Sequence, residues 1–256
     1  PYLIQPNNTS NFFRTGLTAQ NSIILSTSAG NTGMRFSFTD MRNKDILPET
    51  NMSRDNFNLR VNTSVAKVDL DFNVNYTREN VKNRPALGDT QSNVGKNLMV
   101  LANTYNQSWL KQYQDDKGEY SNWNGNDQYN RNPYWDLYKN SNKSSKDVFR
   151  LSGKAIYNVT DHFKIQGTIG TDINNMDFSE FIARTTPGTN AGQLQNSLYN
   201  NRTLNAEILA LYNNNWGDFD FNGTFGGNIF YVNNKTNILT GMNQQMDDII
   251  AIMNYQ

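Results

Sequence analysis

A strict alternation of apolar and polar residues along its extended segments constrains this chain most. Every second residue from Val68 to Tyr76 is apolar, and the residues between them are Asp69, Asp71, Asn73 and Asn75. A second alternating run extends from Phe219 to Tyr231. Because a period of two places successive side chains on opposite faces of a strand, one face is apolar and the other carries amides and carboxylates. Protein cores rarely accept so many polar groups, so the pattern predicts strands of a transmembrane antiparallel β-barrel, with lipid outside and water inside.

Composition agrees with a barrel that has a wet interior. Of the 256 residues only 36% are hydrophobic, which is less than soluble domains usually carry, and the mean hydropathy is -0.74. Disorder is a poor explanation, because 12% of the residues are aromatic and disordered chains contain few aromatic residues. No segment approaches the roughly 18 consecutive apolar residues of a membrane helix, which excludes helical spans and leaves strands as the candidates.

Several function classes are disfavoured by the residues that the chain lacks. The net charge is zero, with no basic patch, so we expect no nucleic-acid partner. There are no cysteines and a single histidine, His162, so we expect no metal site and no cofactor. No phosphate-binding loop, zinc motif or nucleophile elbow is present, so we expect no catalytic residues and no enzymatic activity.

The connections between the predicted strands alternate in length. About eight strands are predicted, with short turns after Ser28, Thr63, Val159 and Tyr212. Long loops are predicted over residues 41–55, 79–146 and 174–202. In outer-membrane barrels the short turns face the periplasm and the long loops face outwards, so we expect the long loops to be extracellular. Tyr157, Tyr212 and Trp216 then form a predicted aromatic girdle at the periplasmic rim.

The longest loop holds the candidate ligand surface. A helix is predicted where Leu98, Leu101, Tyr105 and Trp109 recur at helical spacing. The candidate contact residues are the aromatic residues Trp109, Tyr113, Tyr120, Trp123, Tyr129, Tyr134 and Trp135. Such rings can stack on sugars, and Tyr and Trp also favour protein interfaces. Three interpretations therefore stay open for them: substrate contact, contact with a lid protein, and packing of the loop itself.

Several motifs occur in an order that matches a known family. They are Lys111-Gln112-Tyr113-Gln114-Asp115-Asp116-Lys117-Gly118, Asn132-Pro133-Tyr134-Trp135, Asp147-Val148-Phe149-Arg150-Leu151-Ser152-Gly153 and Gly170-Thr171-Asp172. Upstream, Phe12-Phe13-Arg14-Thr15-Gly16 precedes the first predicted strands. In order and spacing the chain resembles the SusC/RagA family of TonB-dependent outer-membrane transporters, over most of its length.

The resemblance implies a fold and a function that exceed what the residues alone show. It implies about eight strands of a larger barrel of about 22. Residues 1–256 would be a partial barrel domain, with the plug domain and the remaining strands absent from this chain. The whole protein would import glycans or peptides through the outer membrane of a Gram-negative, Bacteroidetes-like cell.

The resemblance also implies partners. These are a SusD-like surface lipoprotein acting as a lid, a TonB complex reached through parts outside this chain, and surrounding lipid and lipopolysaccharide. Two alternatives remain: a small outer-membrane barrel with an adhesive or structural role, and a soluble carbohydrate-binding β-protein.

Overall fold

In the described part of the chain, eight strands form one antiparallel sheet in which every strand pairs with its neighbours in the chain. A computed structural model describes residues 3–125, 127–189, 191–246 and 249–255. The strands are β1 (Leu17–Ala29), β2 (Thr32–Lys44), β3 (Asn51–Val65), β4 (Val68–Lys82), β5 (Ser141–Asn158), β6 (Phe163–Ile182), β7 (Gln193–Trp216) and β8 (Phe219–Met242). Among the described residues β1 and β8 each pair on one side only, so the sheet is open, as in part of a barrel wall.

The register aligns the apolar residues of all eight strands on one face. One row of Cα partners runs through Leu25, Phe36, Leu59, Val74 and Leu151, and after Thr171 on β6 it continues through Leu204 and Tyr231. The adjacent row on the opposite face is polar and includes Arg35, Arg60, Asn73 and Ser152. The predicted alternation is therefore confirmed, and we call these the outer and the inner face of the wall.

Nothing in the described part of the chain covers the outer face. Leu25 is 63% exposed, Phe72 50% and Phe225 83%. A soluble protein would place such a face against a second sheet or a helix.

No helix among the described residues is both long enough and apolar enough to cross a membrane.

The strands extend further than their alternation predicts. The predicted loops at 41–55, 79–146 and 174–202 were too long, because the connections are only 45–50, 83–140 and 183–192. Beyond the apolar band, towards the long connections, the strands continue with polar residues. One polar row of Cα partners consists of Asp40, Asp55, Arg78 and Asp147 on β2 to β5. Both faces of the sheet are polar there, so the sequence loses its period of two while the backbone ladder continues.

The four short turns lie together at one end of the sheet, as predicted. They connect β1 to β2, β3 to β4, β5 to β6 and β7 to β8. Gly30 and Gly217 occupy two of them with φ values of 56° and 63°, a left-handed conformation that two-residue hairpin turns require. The three longer connections lie at the opposite end.

The longest connection folds into a compact unit, which we call the loop cap (residues 83–140). It contains α2 (Val94–Met99), α3 (Pro133–Tyr138) and a 3-10 helix (Gln107–Lys111), and α1 (Asn8–Phe12) packs against it. The single helix predicted through Leu98 and Trp109 was wrong. The chain turns between α2 and the 3-10 helix, and the Asn106 side chain caps the second element by accepting from Ser108 N at 2.9 Å.

The main buried apolar cluster joins this unit to α1 and to the 45–50 connection, away from the strand faces. Its members are Phe12, Leu47, Val94, Leu98, Leu101, Leu110, Tyr134 and Leu137.

Candidate functional site

The loop cap is tied to the sheet at the end opposite the short turns. Trp135 Nε1 donates to Thr186 Oγ1 at 2.8 Å, and Ala183 N donates to Asn140 Oδ1 at 2.9 Å. These bonds join α3 to the 183–192 connection. On the inner face of β4 and β5, Val81 and Val148 are buried.

The motif Asn132-Pro133-Tyr134-Trp135 begins α3 and fixes it in the cap. Asn132 is 1% exposed and is the N-cap residue, since its Oδ1 accepts from Tyr134 N at 3.0 Å. Its Nδ2 donates to Leu110 O at 2.9 Å and to Ser121 O at 3.1 Å. Pro133 stands at the first helical position, where its missing N–H costs nothing. One buried amide therefore joins three segments of the cap.

Three of the seven predicted contact residues are buried in the interior of the cap. Tyr120 is 7% exposed, Tyr134 5% and Trp135 2%. Tyr120 Oη accepts from Asn132 N at 2.7 Å, and Tyr134 Oη donates to Gln107 Oε1 at 3.0 Å. Burial raises the pKa of Tyr120 to about 12, so the hydroxyl stays neutral. These rings pack the cap, and any contact between them and a ligand stays a prediction.

The other candidates are accessible to different extents. Trp109 is 58% exposed, Trp123 42% and Tyr129 62%. Trp109 and Trp123 both pack against Tyr105, at ring-centroid distances of 5.0 and 5.7 Å. We call Tyr105, Trp109 and Trp123 the aromatic patch.

Of the four candidates that are not buried, Tyr113 and Tyr129 lie outside the aromatic patch. Tyr113 is half-buried and stacks on Tyr138 at 5.8 Å. Tyr129 makes no ring contact with the patch in the described part of the chain. The structure thus brings Trp109 and Trp123 together through Tyr105, which the predicted set omitted.

A charged cavity of about 300 Å³ lies between the cap and the inner face of β6. Arg131 and Asp136 line it with side chains that are 5% and 3% exposed, and Arg131 Nη2 lies 3.3 Å from Asp136 Oδ1. Asn140 Nδ2 donates to the same Oδ1 at 2.8 Å, whereas Asp136 Oδ2 is buried and has no hydrogen-bond partner among the described residues. Glu180 of β6 also lines the cavity.

The electrostatics of this cavity are set by burial. Burial raises the pKa of Asp136 from its ordinary value of 3.8 to about 6, against the opposing effects of Arg131 and Asn140. The sequence does not indicate this site, since charged residues in a polar loop are usually solvated.

Aromatic residues mark both edges of the apolar band on the outer face. Towards the loop end Phe38, Phe57, Tyr76 and Phe149 form a ladder across β2 to β5, with centroid distances of 4.6, 6.1 and 4.4 Å. This ladder was not predicted from the sequence.

Towards the turn end two residues of the predicted girdle lie close together. Tyr212, Trp216 and Phe221 lie within 6.1 to 6.5 Å of one another. Tyr157, on β5, is 47% exposed and lies at the same end of the sheet without joining this cluster.

Solved structures of a transporter share the fold of this sheet. The structure of the RagAB peptide transporter matches 97% of this chain with a TM-score of 0.76 and 14% sequence identity. The chain has the fold of a transporter barrel wall. RagAB peptide importer structures in a "closed-closed" and an "open-open" state each match with a TM-score of 0.75, at the same identity and coverage. The resemblance to the SusC/RagA family is thereby confirmed at the level of the fold.

The match concerns one portion of those proteins. The chain spans 28% of the length of the RagAB chain that it matches. No protein-family model matches the sequence, and no curated protein matches it.

Proposed function

We propose that this chain forms part of the wall of a TonB-dependent importer in a bacterial outer membrane. The observation that carries this proposal is the continuous, uncovered apolar face across eight strands, bounded by aromatic residues at both edges. Aromatic girdles flank the lipid-facing band of outer-membrane barrels in this way. The fold shared with the RagAB peptide transporter supports the same function.

The inner face favours a large lumen over a small closed barrel. Arg60 Nε and Nη2 contact the two carboxylate oxygens of Asp71 at 3.1 and 2.6 Å, and Asn58 Nδ2 donates to Asn73 Oδ1 at 2.9 Å. Asn228 and Asn205 are hydrogen-bonded in the same manner on β8 and β7. A closed barrel of about eight strands fills its interior with interlocking side chains. Small amide side chains that hydrogen-bond to one another are better suited to line a wider interior that holds water or a plug.

The loop end is the proposed site of substrate and lid contact. We assign the aromatic patch to contact with a SusD-like surface lipoprotein, because its rings are exposed and Tyr and Trp favour protein interfaces. Peptides are the proposed substrate class by analogy with the RagAB peptide importer, and glycans are the alternative. Energy would come from a TonB complex, and the outer face would contact lipid and lipopolysaccharide.

The test uses the complete protein that contains this chain. We expect it in the outer-membrane fraction, with faster migration on an unheated detergent gel than on a heated one. A soluble location, or a migration that heating does not change, would contradict the membrane wall. Both results can be obtained without knowing the substrate.

A second measurement addresses the lid. A Trp109→Ala/Trp123→Ala double variant should lose most of the lipoprotein that co-purifies with the transporter, and Tyr129→Ala serves as an exposed aromatic control. Equal co-purification with both variants would rule out the aromatic patch as the lid contact while leaving the wall in place.

A further inference from the structure

We propose that the charged cavity beneath the loop cap binds a primary ammonium group of the imported molecule. This inference rests on the proposed function, because it names a chemical feature of the substrate. The cavity of about 300 Å³ is bounded by Arg131 and Asp136 of the cap and by Glu180 of the inner face. That volume is at the lower end of the range for small-molecule sites, so it suits one terminal group or side chain.

The buried part of the cavity carries an excess of negative charge. Its lining contains two arginines and two carboxylates, but Arg84 is 60% exposed and pairs with Glu79 at 3.2 Å, outside the cavity. Arg131 is then the buried cation that faces both Asp136 and Glu180. With one guanidinium and two carboxylates, one added positive charge would make the buried part of the cavity neutral.

An unmet hydrogen bond shows where that charge would bind. Asp136 Oδ2 is buried without a partner in the described part of the chain, and a buried acceptor in that state is costly. The amide donors that line the cavity are committed elsewhere: Asn83 Nδ2 to Leu137 O at 3.2 Å, Asn93 Nδ2 to Gly88 O at 2.7 Å, and Asn142 Nδ2 to Arg84 O at 3.2 Å. None of these bonds reaches Asp136 Oδ2, so a donor on a bound molecule would satisfy it.

An ammonium group meets both requirements. It supplies three N–H donors and one positive charge, whereas a sugar hydroxyl supplies a donor without the charge. At pH 7 Asp136 is mostly ionised, since its pKa is about 6. The ammonium could belong to a peptide N-terminus or to a lysine side chain, and the same site chemistry serves both.

The test is isothermal titration of the complete transporter in detergent at pH 7.5 with four probes. They are penta-alanine with a free N-terminus, N-acetyl-penta-alanine amide, an N-acetylated penta-alanine amide carrying one internal lysine, and maltopentaose. We expect the acetylated, lysine-free peptide to bind at least about 10-fold more weakly than the best ammonium-bearing peptide. The stronger of the two ammonium probes identifies the source of the group.

Variants connect the effect to the cavity. Asp136→Asn keeps the shape of the side chain and should abolish the preference for an ammonium, and Glu180→Gln should reduce it. Asp116→Asn, in the exposed part of the same loop, is the matched control and should leave the preference unchanged. Gel migration without heating shows whether each variant keeps a folded wall.

Three outcomes would overturn the inference. They are equal binding of free and acetylated peptides, a preference that survives in Asp136→Asn, and binding of maltopentaose with no binding of any peptide. Each of these leaves the importer function standing, which the location and migration measurements test separately.

Discussion

The strands of the wall expose their apolar side chains, whereas the loop cap buries its own. Ile229 in β8 is 69% exposed, while Leu110 and Trp135 in the cap are each 2% exposed. The wall is held by its backbone ladder, and its open apolar face is unfavourable in water, so the proposed function places lipid against that face. The cap resembles a miniature soluble domain with its own core. One chain thus contains two units that should respond to different perturbations.

The largest effect is expected from removing the indole at the centre of the cap. Trp135→Ala should destabilise the cap by about 3–5 kcal/mol, because it leaves a cavity and removes the bond to Thr186. Local opening should increase by more than about 100-fold. The measurement is the rate of limited chymotrypsin cleavage within residues 83–140 of the complete protein.

The comparison between wall and cap depends on what stays unchanged in that variant. Migration on an unheated gel should match the unmodified protein, and Trp109→Ala should cleave at nearly the normal rate, since Trp109 is 58% exposed. If Trp135→Ala also abolished the heat-dependent migration, the cap and the wall would be one cooperative unit.

A charge on the outer face should give the next largest effect. Val74→Arg places a guanidinium in the middle of the apolar band, which costs about 2–4 kcal/mol at the centre of a bilayer. The free energy of unfolding in phospholipid vesicles, from urea titration of tryptophan fluorescence, measures this cost.

The neighbouring residue provides the control for the two faces. Asn73 lies on the inner face, so Asn73→Arg should change the free energy of unfolding by less than about 1 kcal/mol. A larger loss for Asn73→Arg than for Val74→Arg would mean that the two faces are assigned the wrong way round.

The two regions also differ in how far the sequence predicts them. The alternation from Val68 to Tyr76 indicates face and strand together, because an apolar face opposite a polar face requires a period of two. Towards the loop end Asp55 and Arg78 are still Cα partners in the sheet. Both faces are polar there, so the sequence shows no alternation of apolar and polar residues.

The cap is less predictable for a different reason. Its helices are six residues or shorter, and they are positioned by buried amides such as Asn132, whose partners Leu110 and Ser121 lie far along the chain. The likeness of Asn132-Pro133-Tyr134-Trp135 to a family motif identified the segment. The burial of this segment and of the Arg131–Asp136 pair depends on tertiary contacts, which the sequence does not show.

A pH effect of intermediate size should be confined to the cap. Burial raises the pKa of Asp136 from 3.8 to about 6, so the folded cap holds this proton more tightly than the unfolded chain does. Its contribution to stability is fully present below about pH 4, falls as pH rises to about 6, and is constant above that. The loss is on the order of 3 kcal/mol, since one pKa unit corresponds to about 1.4 kcal/mol.

Near-ultraviolet circular dichroism during urea titration at pH 4 and pH 7.5 measures this change. Asp136→Asn should remove most of the difference between the two pH values. A cap that becomes more stable between pH 4 and pH 6 would show that the pairing with Arg131 outweighs burial.

The smallest effect is expected at the loop-end edge of the wall, where a side-chain hydrogen bond contributes to stability as such bonds do in the cap. Tyr76 Oη donates to Asp147 Oδ1 at 2.5 Å, where the aromatic ladder meets the polar row. Tyr76→Phe keeps the stacked ring and removes this bond, so it should cost about 1 kcal/mol in the vesicle unfolding assay. Tyr157→Phe is the control, because the Tyr157 hydroxyl has no protein partner among the described contacts. Equal effects of the two changes would mean that the loop-end edge, like the rest of the wall, is held by lipid and backbone alone.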